Sequence, residues 1–253
     1  VPSRASFMTG RSPVAARITR FSSPLPRDEI TFPEVLRQEA GYFVGVCGRS
    51  YHLDGSSGRG PESKAHRELL VKHGLSTFTD RFDVVAQGPD RGTAAKMAEF
   101  LDQKPADKPF FLWVNFSDPH HVWNAAQFAP DPAALKLPAH WPDLPGMRKQ
   151  LADHCGEVNR VDDTIGGVLA LLEERGLKDS TIVVFAGDNG LALPHGKGAL
   201  YDPGLNVPFV VRWPGVVAPN GESRILASGE DLGPTLLQAV GVAVPDRMTG
   251  VSF

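Results

Sequence analysis

The chain has 253 residues, 42% hydrophobic and 22% charged, and Gly and Pro together make up about a fifth of it. That balance lies short of low-complexity disorder and describes an enzyme-sized folded body, read as one principal domain. The formal charge of -3, from 26 Lys and Arg against 29 Asp and Glu, provides no basic field for general nucleic-acid binding. No apolar run approaches the roughly 18 residues of a membrane span, and no charged-then-apolar leader opens the sequence. Cys47 and Cys155 lack the spacing of a zinc site or a disulfide framework and read as buried thiols.

In chain order, Pro2 at a first helical turn and Gly10 at a C-terminal cap predict a short helix over residues 2 to 9. Thr31 and Glu34 form a capping box that starts a second helix, which Gly41 ends, and Tyr42 to Cys47 follows as a buried strand. Residues 54 to 66 are Gly-, Ser- and Pro-rich and read as a loop, and Thr93 to Leu101 as an amphipathic helix. Pro109 to Phe116 is an apolar run of strand length. The stretch 124 to 145 has no periodicity, whereas Met147, Leu151, Val158, Val161, Ile165, Val168 and Leu172 keep the spacing of one long helix. Glu157, Asp162 and Asp163 are read onto its solvated or loop-facing side. Thr181 to Ala186 and Val207 to Trp213 read as further buried strands, and Leu232 to Val240 as a closing helix after Asp231.

Strands alternating with helices predict an α/β fold with a largely parallel sheet covered on both faces. In such sheets ligands bind beyond the carboxyl ends of the strands, so the polar residues there form one candidate group: Arg49 and His52, Asp118 and His120, Asp188 and Asn189. Taken singly, each has an ordinary explanation. Asp-Asn is a common turn, and a lone histidine is more often a loop or core residue than a catalyst. Gly190 to Lys197 lacks the spacing of a phosphate loop, and the Asn115-Phe116-Ser117 sequon sits at a strand end, where an unmodified Asn is expected.

Val1-Pro2-Ser3-Arg4-Ala5-Ser6-Phe7-Met8-Thr9-Gly10-Arg11 resembles the sulfatase signature at every position but its first, which would immediately precede Val1. Gly48-Arg49-Ser50-Tyr51-His52 is similar to that family's Gly-Lys-x-(x)-His element, with Arg49 where Lys is usual. Asp118-Pro119-His120, Gly187-Asp188-Asn189-Gly190 and His195-Gly196-Lys197 resemble its later elements in the family's order, closest to the heparan N-sulfatase and iduronate-sulfatase-like branches.

The resemblance implies an alkaline-phosphatase/sulfatase-like fold and hydrolysis of sulfate esters or sulfamates, on sulfated and glycosaminoglycan-like carbohydrates. It implies a formylglycine nucleophile before Val1 and a Ca²⁺ ion held in part by Asp188 and Asn189. Oxygen ligands of this kind suit a hard cation. Arg4, Arg49, His52, His120 and Lys197 are the implied catalytic residues, and His195 and His121 the implied substrate contacts. His121 also competes with its neighbour His120 for the catalytic place. His120 would protonate the leaving group, and His52 would help expel sulfate. The chain is expected to be a fragment, 1 to 253, of a sulfatase catalytic domain, without its upstream metal-ligand strand and its C-terminal part, and inactive alone. A periplasmic, extracellular or lysosome-like location is also implied. Two other readings stand beside this one: a phosphomonoester, phosphodiester or phosphonate hydrolase of the same superfamily, and a non-catalytic module binding sulfated glycans.

Overall fold

The computed structural model describes residues 1–18, 23–49, 53, 68, 71–75 and 81–253. His52 and the loop expected over 54 to 66 lie outside them. The chain divides into two compact units, Val1–Asn115 with Ser223–Phe253, and Phe116–Glu222.

In the first unit, α1 (Pro2–Thr9) carries Pro in its first turn and ends at Gly10, whose φ of 62° supplies the left-handed cap. In α2 (Phe32–Ala40), Glu34 reaches back to Thr31, completing the box read from the sequence. The central strand β1 (Phe43–Gly48) pairs in parallel with β2 (Val84–Gln87) on one side and β3 (Phe110–Asn115) on the other. Register aligns Gly48 with Gln87 and with Asn115, so the three strands end level at their carboxyl edge.

Side-chain alternation sends Val44 and Val46 into a buried core with Ala5, Met8, Phe32, Val35 and Leu237. The opposite face meets α3 (Thr93–Gln103), where Phe100 stacks on Phe43 with centroids 5.2 Å apart. Helices thus cover both faces of the parallel sheet, as its strands' apolar character requires. Cys47 is fully buried, and burial pushes its thiol up to about 12.

The second unit is built on α4 (Met147–Glu174), 28 residues long, with β4 (Val183–Ala186), the single turn α5 (Asp202–Leu205) and β5 (Phe209–Arg212). Two short 3-10 turns, at Ala126–Phe128 and Pro132–Ala134, break the stretch without periodicity. The final helix, α6 (Leu232–Ala239), returns to the first unit.

β5 runs antiparallel to β4, because the connection between them holds only one helical turn instead of a crossover helix. Three expectations are corrected. Neither β4 nor β5 is buried among the described residues: Phe185 is 37%, Phe209 41% and Val210 58% exposed. On α4, Val158 faces outward, and the buried positions include His154, Gly156 and Glu157. Glu157, read as solvated, is fully buried because backbone N–H groups and an arginine satisfy its carboxylate. Among the described residues no helix is long and apolar enough to cross a membrane.

Candidate active site

Among the described residues α1 has no acidic side chain in its first turn and no side-chain cap at Val1, so that turn carries the partial positive charge of a helix N-terminus. Arg4 lies within that turn, 9% exposed, and its Nη1 donates to Asn115 Oδ1 at 3.0 Å and to the Arg49 carbonyl at 3.2 Å. Because Arg49 N also donates to the Asn115 carbonyl at 3.2 Å, the ends of β1 and β3 hold Arg4 and Arg49 together. The rest of the signature run maintains the fold. Thr9 hydroxyl bonds the Ala5 carbonyl, and Arg11 pairs at 2.6 Å with the buried Glu29.

Directly after β3 the chain enters the second unit at Phe116, and Asp118-Pro119-His120 follows two residues later. The Asp118 carboxylate is gripped by Arg160 of α4, with Nε 2.6 Å from Oδ2 and Nη2 2.9 Å from Oδ1. Arg160 also donates to Glu157 at 2.6 Å and to Asn124 Oδ1 at 2.7 Å. Glu157 Oε1 in turn accepts the backbone N–H groups of Asn124 at 2.5 Å and Ala125 at 2.8 Å. Burial pushes the Glu157 carboxyl above the usual carboxylate range. The N–H groups of Asn124 and Ala125 oppose that shift, and the neighbouring Asp118 adds to it.

His120 and His121 are exposed. His120 Nδ1 lies 2.5 Å from the His121 carbonyl, which can only accept, so Nδ1 carries the hydrogen and Nε2 is the nitrogen left for proton exchange. Trp123 donates Nε1 to the Pro119 carbonyl at 3.2 Å and packs between His121 and the buried His154, whose pKa burial lowers.

The third group follows β4. Asn189 Nδ2 donates to the Gly190 carbonyl at 2.8 Å, which leaves Oδ1 as the amide atom suited to a cation. The loop folds back through Lys197 N to the Leu191 carbonyl at 2.8 Å, leaving the Lys197 side chain exposed. The His195 ring packs tilted against Tyr201, with centroids 4.6 Å apart, and edge-on against His140 at 5.6 Å. Asp188 and Asn189 fit the donor chemistry of a hard cation but provide only two side-chain ligands. Among the described residues no group of three or more His, Cys, Asp or Glu converges as a metal site.

The structure therefore joins Arg4 to Arg49, places His120 and His121 on one turn, and puts Asp188, Asn189, His195 and Lys197 on one loop. Sequence reasoning missed Asn115, Glu157 and Arg160. The legible trace of the last two was an acid and a base at i,i+3 on a long helix.

Residues 1–242 match the family profile described as Sulfatase. N-acetylglucosamine-6-sulfatase of Capra hircus is 27% identical over 313 residues, which cover 100% of this chain and 54% of that protein. N-sulphoglucosamine sulphohydrolase of Homo sapiens is 28% identical over 280 residues, covering 96% of this chain and 52% of the relative. The chain thus spans about half the length of these curated relatives. Among solved structures, one from the versatile core genetic locus that orchestrates metabolism of multiple glycosaminoglycans in Bacteroides thetaiotaomicron shares the fold. Its TM-score is 0.77 at 22% identity, over 100% of this chain and 63% of that one.

Proposed function

This chain belongs to the sulfatase family, and from that premise we propose that the whole protein hydrolyses sulfate esters or sulfamates on sulfated sugars, with glucosamine-containing glycans as the substrate class. The observation that carries this reading is Arg4, anchored and buried in the uncapped first turn of α1, where a tetrahedral anion would meet both the helix N–H groups and a fixed guanidinium. The two curated relatives support the sugar, since one is named for a 6-sulfate and the other for an N-sulfate of glucosamine.

A formylglycine preceding Val1 would supply the nucleophilic oxygen, and Ca²⁺ bound in part by Asp188 and Asn189 would neutralise sulfate charge. Arg4 and Arg49 hold the sulfate oxygens. His120 delivers a proton from Nε2 to the departing oxygen or nitrogen. His52 acts as the base that releases sulfate, Lys197 balances charge at the leaving-group side, and His195 and His121 contact the sugar.

The test is sulfate release by the full-length protein from glucosamine 6-sulfate, N-sulfoglucosamine and an aryl sulfate, beside a phosphate diester and a phosphonate ester. Turnover of a sulfated sugar above both phosphorus esters is expected. Preference for a phosphorus ester would replace the reading with the superfamily's other chemistry, and binding of sulfated sugars without turnover would make the protein a glycan-binding module.

A further inference from the structure

The turn that carries His120 is fastened to α4 at both of its feet. At the first foot, Asp118 is 9% exposed in its side chain and receives both a side Nε and an Nη2 of Arg160. At the second, Asn124 is held twice, by Arg160 Nη1 through its side chain and by Glu157 Oε1 through its backbone N–H, and Ala125 N–H adds a third bond. Between these feet the residues exposed in sequence are His120, His121 and Val122. Glu157 and Arg160 themselves are linked at 2.6 Å across one helical turn, so a single rigid element presents both groups.

Stability alone does not require this arrangement. A fully buried carboxylate is costly unless its hydrogen-bonding capacity is filled, and burying one at a loop end stabilises the fold less than an apolar residue of similar size would. What the ionic fork does provide is direction. A bidentate guanidinium-carboxylate pair fixes both the distance and the plane of its partner, and Asp118 is two residues from His120. The turn is closed further by His120 N–H donating to the Ser117 carbonyl at 2.9 Å.

We propose that Arg160 and Glu157 are positioning residues that hold the His120 imidazole in line with the leaving group, Arg160 through Asp118 and Glu157 through the Asn124–Ala125 end of the turn. This rests on the sulfate-hydrolysis reading and on His120 as its acid. Proton donation matters when the departing group is a sugar alkoxide or amine and hardly at all when it is a nitrophenolate, which leaves without help. A misdirected acid therefore shows itself in the choice of substrate, and a damaged fold does not.

The experiment compares the full-length protein with Arg160→Met, Arg160→Lys, Glu157→Gln and His120→Ala on glucosamine 6-sulfate and on 4-nitrophenyl sulfate. Arg160→Met is expected to lower kcat on the sugar sulfate by about 10²-fold, with KM within about 3-fold, and to spare the nitrophenyl ester, as His120→Ala does. Arg160→Lys, which keeps the charge but loses the fork, is expected to show the same selectivity to a smaller degree and covers the case in which Arg160→Met does not fold. Arg160→Met added to His120→Ala should cost nothing more on either substrate. Equal losses on both esters, or additive losses in the double variant, would overturn the positioning role while leaving sulfate hydrolysis intact. A wild-type protein that releases sulfate from neither substrate would overturn the underlying reading instead.

Discussion

Asn115, read from sequence as an unmodified residue at a strand end despite its formal sequon, serves electrostatics. Its Oδ1 is one acceptor for a buried guanidinium, and removing a charge-assisted bond from a buried donor costs more than the net value of an ordinary hydrogen bond. Asn115→Leu is therefore expected to lower the unfolding free energy by about 1–3 kcal/mol in urea denaturation. Asn115→Asp, which keeps an oxygen at that place and adds the opposite charge, should retain stability. Equal losses for the two would show that the Arg4 contact is not what the site requires.

His154 gives a second test at this scale. Burial lowers its folded pKa, so the unfolded chain takes up a proton near the ordinary value of 6.5 while the folded chain does not. The associated stability is present above 6.5 and is lost as pH falls below it. Melting temperatures from pH 7.5 to pH 5 should fall more steeply for the wild type than for His154→Phe, which also keeps an aromatic ring against Trp123. Parallel curves would remove His154 from the account. The sequence showed His154 only as one of eight histidines, because burial by a returning loop leaves no local mark.

At the scale of elements, α4 was legible as a helix but its buried face was not. Periodicity places apolar residues inward, yet the 124–129 chain lies close against Gly156, where an added Cβ would sit 2.7 Å from the Ala125 carbonyl oxygen and 3.1 Å from Ala129 N. Helix propensity favours Ala over Gly by about 1 kcal/mol in an exposed helix interior. Gly166 on the same helix has nothing within 4 Å of an added Cβ, so Gly166→Ala should stabilise by about 0.5–1 kcal/mol. Gly156→Ala should instead destabilise and weaken the bonds to Asn124 and Ala125, since backbone atoms cannot yield as a flexible side chain would. Thermal denaturation of the two variants, read side by side, checks the opposite signs.

The same scale explains which other elements could be read. α1 and α2 announce themselves by Pro, Gly and the Thr31–Glu34 box, whose geometry is set within a few residues. β2 was missed because four residues, Val84–Gln87, carry too little pattern to register as a strand. The direction of β5 is set by the connection preceding it and not by its own apolar run, so the run alone does not reveal it.

Across the whole molecule, what was legible was the order of motifs along the chain: the strand-end rule drew Arg49, Asp118 and Asp188 into one candidate group before any of them had a contact. What was not legible was the supporting shell, Asn115, Glu157 and Arg160, because those groups act through other side chains and share no motif. The proposed metal belongs to this scale too, since Ca²⁺ takes about six to eight oxygen ligands and Asp188 with Asn189 would supply a minority of them. The remainder would come from other segments, water or substrate, and where other segments contribute, the ion would tie them to the loop after β4. Its binding should therefore appear as stability of the whole fold: at a concentration about 100 times Kd the gain is about 2.7 kcal/mol. The full-length wild type is expected to retain calcium by elemental analysis after desalting and to melt higher when calcium is restored after chelation. Asp188→Ala should lose the metal, the calcium-dependent rise in Tm and sulfate release together. Lys197→Ala, whose ammonium cannot ligate a cation, should keep the metal and the rise in Tm while losing rate. A calcium-dependent rise in Asp188→Ala equal to that of the wild type would place the ion elsewhere and remove the loop after β4 from the metal site.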